Sequence, residues 1–146
     1  MLKNGGRRIV CTYLAQINLD EIEPTKLSKA LDRWTEELSR ELGDRWGPAR
    51  KALNLFLRDA SYNVWTRARY KFEAFESHLE VPLDGKVMKA IQRESGVALP
   101  TVAVKRLTPE VSTQYQNTAQ SLAEKARTLR VHLDLKWWSV TGENDA

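Results

Sequence analysis

Two residues of this chain join useful chemistry to a fixed placement at helix starts: Lys51 and Asp84. Lys51 stands in Gly47-Pro48-Ala49-Arg50-Lys51-Ala52-Leu53-Asn54, the opening turn of an apolar helix just after a glycine. A lysine amine becomes a nucleophile when desolvation or neighbouring positive charge lowers its pKa. Asp84 follows Val81-Pro82-Leu83 and opens a second helix, where a carboxylate accepts from free backbone N–H groups. A capping carboxylate is held in place and stays ionised, which suits it to stabilise a developing cation. An amine and a carboxylate on two helix starts can form one site. Each also has a plain role: a solvated first-turn lysine, and an N-cap worth about 1 kcal/mol.

The segment before Lys51 adds a second kind of chemistry. Free N–H groups at a helix start make a positive end that holds a phosphate. Gly47, Ala49 and Arg50 are the expected contacts to a nucleic-acid backbone, gripped without reading sequence. The plain alternative is a helix start with two solvated basic residues. Burial near Lys51 is expected from the Trp46 side, and His132 beside Trp137-Trp138 can line a pocket or offer a stacking face. Trp46, His132 and Trp138 are therefore candidate pocket residues, although a C-terminal segment packing its tryptophans inward accounts for the last two as well. Arg67, Arg69 and Lys71 follow Trp65 and read either as a basic, aromatic nucleic-acid face or as a solvated helix face. His78 and His132 are not at metal-ligand spacing, so no metal and no cofactor is expected.

Helices must position these residues. Ile9, Val10, Tyr13, Leu14 and Ile17 recur at helical spacing. Pro24 breaks the chain; Leu27, Leu31, Trp34, Leu38 and Leu42 then share one face, with Gly43 as the stop. Ala49, Ala52, Leu53, Phe56, Leu57 and Ala60 form the buried face of the Lys51 helix, and periodicity resumes through Trp65, Ala68, Phe72, Phe75 and Leu79. Asp84 to Gly96 encloses a short helix, and Thr108-Pro109-Glu110 is a cap, a proline and an acid in the order that starts a helix. Residues 97–107 read as a loop or short strand, and 129–138 fits both periods with a final helix favoured. The expectation is all-α: a single compact domain over 1–146 with five to seven helices, loose at 1–8 and 142–146.

Composition narrows the class. With 146 residues the chain can bury a real core, and its 42% hydrophobic and 29% charged content is that of an ordinary soluble domain. The +4 net charge is compatible with a polyanionic partner without specifying one. A single cysteine, Cys11, rules out an internal disulfide and a cysteine-based metal site, and fits a reducing cytoplasmic setting. No apolar run approaches the length of a membrane span, and no membrane partner is expected.

Taken together, Gly47, Arg50, Lys51 and Asn54 resemble the helix–hairpin–helix motif of the DNA glycosylases and AP lyases that carry a Gly-Pro-Asp region. Leu83, Asp84, Val87 and Lys89 are similar to the aspartate motif that follows it in that family. The order is right, and the separation of 33 residues between Lys51 and Asp84 is similar to a divergent archaeal 8-oxoguanine-type branch. The sequence departs from the pattern at Ala49, where the hairpin has its second glycine, and at Gly85 and Lys86. The resemblance implies a helix–hairpin–helix element, DNA as partner, and N-glycosylase with lyase activity through a Lys51 Schiff base, Asp84 stabilising the sugar cation. The alternative is a non-catalytic helical module that binds nucleic acid or protein.

Overall fold

The computed structural model describes the backbone from Asn4 to Thr141 and side-chain exposure from Gly5 to Trp137. Within those bounds the chain is all-α, with eight α-helices joined by turns and short 3-10 segments, and no strand among the described residues. No helix there is long and apolar enough to cross a membrane. The tail 142–146 and residues 1–3 lie outside the described residues.

Helix α1 (Asn4–Leu14) includes residues 4–8, which were expected to be loose. Helix α2 (Leu27–Glu41) buries Leu27, Ala30, Leu31, Trp34 and Leu38, a stripe at three-to-four spacing. It ends in a Schellman turn. Asp44 N–H donates to the Ser39 carbonyl at 2.9 Å and Gly43 N–H to that of Arg40 at 3.3 Å, with Gly43 at φ +73 and Asp44 at φ +60. Helix α3 (Trp46–Tyr62) returns antiparallel against α2. Pro48 is its third residue rather than its first, which costs nothing because that N–H has no intrahelical partner.

The apolar period after α3 does not make one long helix. Asn63 caps α4 (Val64–Arg69), accepting from Trp65 N–H at 3.0 Å and Thr66 N–H at 3.2 Å. Lys71 then takes φ +52, and α5 (Phe72–Phe75) starts in a new direction. Phe72, Phe75 and Leu79 reach the core that way, while Trp65 is left 83% exposed.

Asp84 caps α6 (Gly85–Ser95), its Oδ1 accepting from Val87 N–H at 2.9 Å, and Gly96 closes it at φ +67. Residues 97–107 form a loop with one 3-10 turn at 104–106. Thr108 caps α7 (Pro109–Lys125), and a 3-10 turn at 130–132 leads into α8 (Leu133–Thr141).

Two hydrophobic clusters result. One joins α1, α2, α3 and α5 around Leu31, Leu38, Leu53 and Phe72; the other joins α6, α7 and the start of α8 around Ile91, Tyr115 and Ala119. The start of α3 bridges them, because Ala49 belongs to the first while Trp46 packs against the second. The Asp84 loop enters the second cluster through Val81 and Leu83. Lys51 and Asp84 are therefore delivered to the seam between the clusters.

Candidate functional site

At that seam lies an open cleft of about 580 Å³, and both Lys51 and Asp84 line it. Arg7 from α1, Arg45 before α3 and Lys105 from the 104–106 turn line it too. Four cations thus face one carboxylate, with Pro48, Ala52, Leu55 and Val104 as the apolar floor. Both Lys51 and Asp84 are half-buried. Such a concavity attracts an anionic ligand that also carries an apolar face.

The residues on either side of Lys51 are oriented differently, because successive side chains on a helix point about 100° apart. Arg50 is 5% exposed and turns inward. Its Nε and Nη2 donate to the two oxygens of Glu80 at 3.0 and 2.7 Å, and its Nη1 donates to Asp32 at 2.8 Å and Thr35 at 3.0 Å. The guanidinium also sits 5.4 Å from the centroid of the Trp46 ring. Burial alone would lower the Arg50 pKa, but Glu80 and Asp32 outweigh it and hold it above its ordinary value. Burial would likewise raise Glu80; Arg50, Asn54 and Arg130 instead pull it below the usual glutamate range. Arg50 therefore does not offer its charge to a phosphate, which corrects the sequence expectation.

Gly47 and Ala49 also have other work. Gly47 is helical, and the tight turn is made by Gly43 and Asp44. A Cβ at Gly47 would lie 1.9 Å from the Val104 carbonyl oxygen, so this glycine is required by the close approach of the 104–107 segment. Ala49 is wholly buried in the core. The hairpin is a structural joint that gives the cleft Lys51 alone, and the other cations, Arg7, Arg45 and Lys105, come from elsewhere.

The pocket residues divide similarly. Trp46 is half-buried beneath Arg50 and does not line the cleft. His132 is bonded outside it: Nδ1 is 2.9 Å from the Tyr62 hydroxyl and Nε2 3.2 Å from Glu76, with the Tyr62 ring stacked on it. Burial, chiefly, raises the Tyr62 hydroxyl to about 12. The Trp138 side chain lies outside the described residues. Arg67 is paired with Glu76 at 3.1 Å and Arg69 with Asp20 at 2.9 Å, so that basic stripe is largely neutralised by its own chain. Among the described residues no cluster of His, Cys, Asp and Glu has the makings of a metal site.

The Arg58–Asp134 pair is a further charged contact that was not foreseen from the sequence. Arg58 lies seven residues after Lys51 on the same face of α3 and donates to Asp134, a carboxylate that is 1% exposed. Burial raises the Asp134 pKa, Arg58 opposes this, and the Asp84 carboxylate adds to it. Asp134 therefore senses the charge of Asp84. The i, i+4, i+7 spacing of Lys51, Leu55 and Arg58 is the signal that could have found this extension of the Lys51 face.

No protein-family model matches this chain, and no curated protein or solved structure matches it.

Proposed function

We propose that this chain is a DNA-repair-like protein of the helix–hairpin–helix class, acting on a damaged base as an N-glycosylase with AP-lyase activity. The observation that carries this reading is that Lys51 and Asp84, 33 positions apart, line one cleft together with Arg7, Arg45 and Lys105. In this reading the cations hold the phosphates flanking a nucleotide, and the apolar floor takes its sugar and base. As the glycosidic C–N bond breaks, its electron pair leaves with the base, and Asp84 stabilises the positive charge on the sugar. Lys51, its amine having first given a proton to solvent, forms a bond to the anomeric carbon and passes a second proton to the departing base. The C1′–O4′ bond then breaks, its electron pair going to the ring oxygen, which takes a proton from water, and the nitrogen lone pair forms the C=N bond of a Schiff base. The imine acidifies the neighbouring carbon, so losing a proton there expels the 3′ phosphate and cuts the strand. Asp84 keeps its capping bond to Val87 throughout, which costs no reorganisation. The setting this implies is cytoplasmic, in keeping with the exposed, unpaired Cys11.

The test is borohydride reduction in the presence of duplex DNA holding an abasic site or an oxidised base. A covalent protein–DNA adduct is expected from the wild type and none from Lys51→Gln. An adduct formed equally well by Lys51→Gln removes Lys51 from the chemistry. A second reading, a non-catalytic module using the same cleft to hold a nucleic-acid backbone, is favoured by the burial of Gly47, Ala49 and Arg50. It is chosen if duplex DNA binds with a steep salt dependence and no adduct forms on any lesion.

A further inference from the structure

We propose that the ion pair between buried Arg50 and half-buried Glu80 is a positioning brace that sets Lys51 against Asp84. Arg50 immediately precedes Lys51 on α3, and Glu80 stands four residues before Asp84 in the loop that ends at that cap. The two-point bond between the guanidinium and the Glu80 carboxylate joins the two cleft-lining segments directly. Each end of the brace is itself held. Asp32 and Thr35 of α2 fix the free arm of Arg50, and Asn54 Nδ2 donates to Glu80 at 2.8 Å. The next residue, Val81, is clamped through both backbone groups by the Gln116 amide of α7 at 3.2 and 2.8 Å. Arg130 donates to the Leu79 carbonyl at 3.2 Å. Residues 79–81 are thereby tied to α2, α3, α7 and the 130–132 turn before the chain reaches Asp84.

The brace adds direction to what packing at the seam already supplies. Lys51 and Asp84 sit on separate elements, and the cleft between them is open. Hydrophobic packing locates such elements only as well as their apolar contacts interdigitate, whereas a planar fork on a carboxylate fixes both distance and angle. Lysine cannot replace it, since an ammonium is a point charge without the fork. Neither Arg50 nor Glu80 touches the reacting atoms, so both are positioning residues.

The catalytic readout rests on the function proposed above; the geometric one does not. For the geometric readout, spin labels are placed at Lys51→Cys and Asp84→Cys in a Cys11→Ser background. The inter-label distance distribution is narrow with the brace intact and at least about twofold broader with Glu80→Gln or Arg50→Lys, each removing the charge-paired fork. For the catalytic readout, in otherwise native protein, both variants trap DNA roughly 10- to 100-fold more slowly with DNA affinity within about twofold, as a misplaced reacting group demands. Leu38→Ala, a core truncation remote from the seam, is the control for lost stability and leaves both readouts unchanged below its Tm. An unchanged distance distribution in both variants overturns the brace, as does a broadened one with undiminished trapping. If the wild type traps no DNA while the distribution broadens, the brace stands and the glycosylase reading falls.

Discussion

Gly47 faces the backbone carbonyl of Val104 so closely that a methyl group on its Cα would sit 1.9 Å from that oxygen and 2.9 Å from Leu107 Cβ. The obstacle is backbone, not the far end of a flexible side chain, so α3 and the 104–107 segment must separate to admit any other residue. Gly47→Ala is therefore expected to destabilise the fold by about 2–3 kcal/mol. Gly85 is the contrast. Nothing lies within 4 Å of its Cβ position, and it is the first residue of α6. Gly85→Ala should stabilise by about 0.4–1 kcal/mol through the unfolded chain. Urea unfolding of both variants checks the pair.

Asp84 combines a cap with the proposed cation-stabilising role, and the two can be separated. Asparagine caps as well as aspartate, so Asp84→Asn should keep stability within about 0.5 kcal/mol while losing base excision. Asp84→Ala should lose both, with about 1 kcal/mol of stability gone. Excision retained by Asp84→Asn would remove the charge of Asp84 from the mechanism.

The buried position of Arg50 changes what a salt series should reveal. Contact with about three phosphates through Arg7, Arg45 and Lys105, with Lys51 kept for the sugar, gives a log–log slope of duplex affinity near −2.7. Lys105→Ala and Arg45→Ala should each flatten that slope by about 0.9, whereas Arg50→Lys should leave it unchanged. Fluorescence anisotropy of labelled duplex across the series reads the slopes. No binding at low salt would remove nucleic acid as the partner.

Acid should weaken the fold partly through Glu80. Its carboxyl is held below the ordinary value of 4.5 in the folded protein, so the folded state binds its proton less readily than the unfolded chain does. That stabilisation is fully present above the unfolded value and is lost as pH falls through the folded one. Glu76, lowered mainly by its bond to Arg67, behaves in the same sense. Asp134 acts oppositely: burial raises it above 3.8, so its contribution is present at low pH and lost as pH rises through its folded value. The stability gap between wild type and Glu80→Gln should thus be largest near neutrality and shrink below about pH 4.5. A gap constant from pH 7 to pH 3 would contradict this.

Much of the helical frame was legible in the chain because its signals are local. Asp84 and Thr108 cap the helices they precede, Gly43 and Gly96 end the helices before them, and each acts within a few residues of its own position. The α4–α5 break was not legible, because the apolar period runs on through a left-handed Lys71 that only the demand to bury Phe72 and Phe75 explains. Lys51 and Asp84 were legible as residue types at helix starts; that they line the same cleft was decided by tertiary packing. The same holds for their neighbours. Lys51 and Arg50 look alike in sequence, yet a 100° turn of the helix sends one to the cleft and the other to Glu80, 30 residues away. His132 went to Tyr62 and Glu76, 70 and 56 residues distant, rather than to the cleft. Local backbone chemistry determines where helices begin and end, but which side chains meet depends on how those helices stack, and the energy that decides it lies in contacts far apart along the chain.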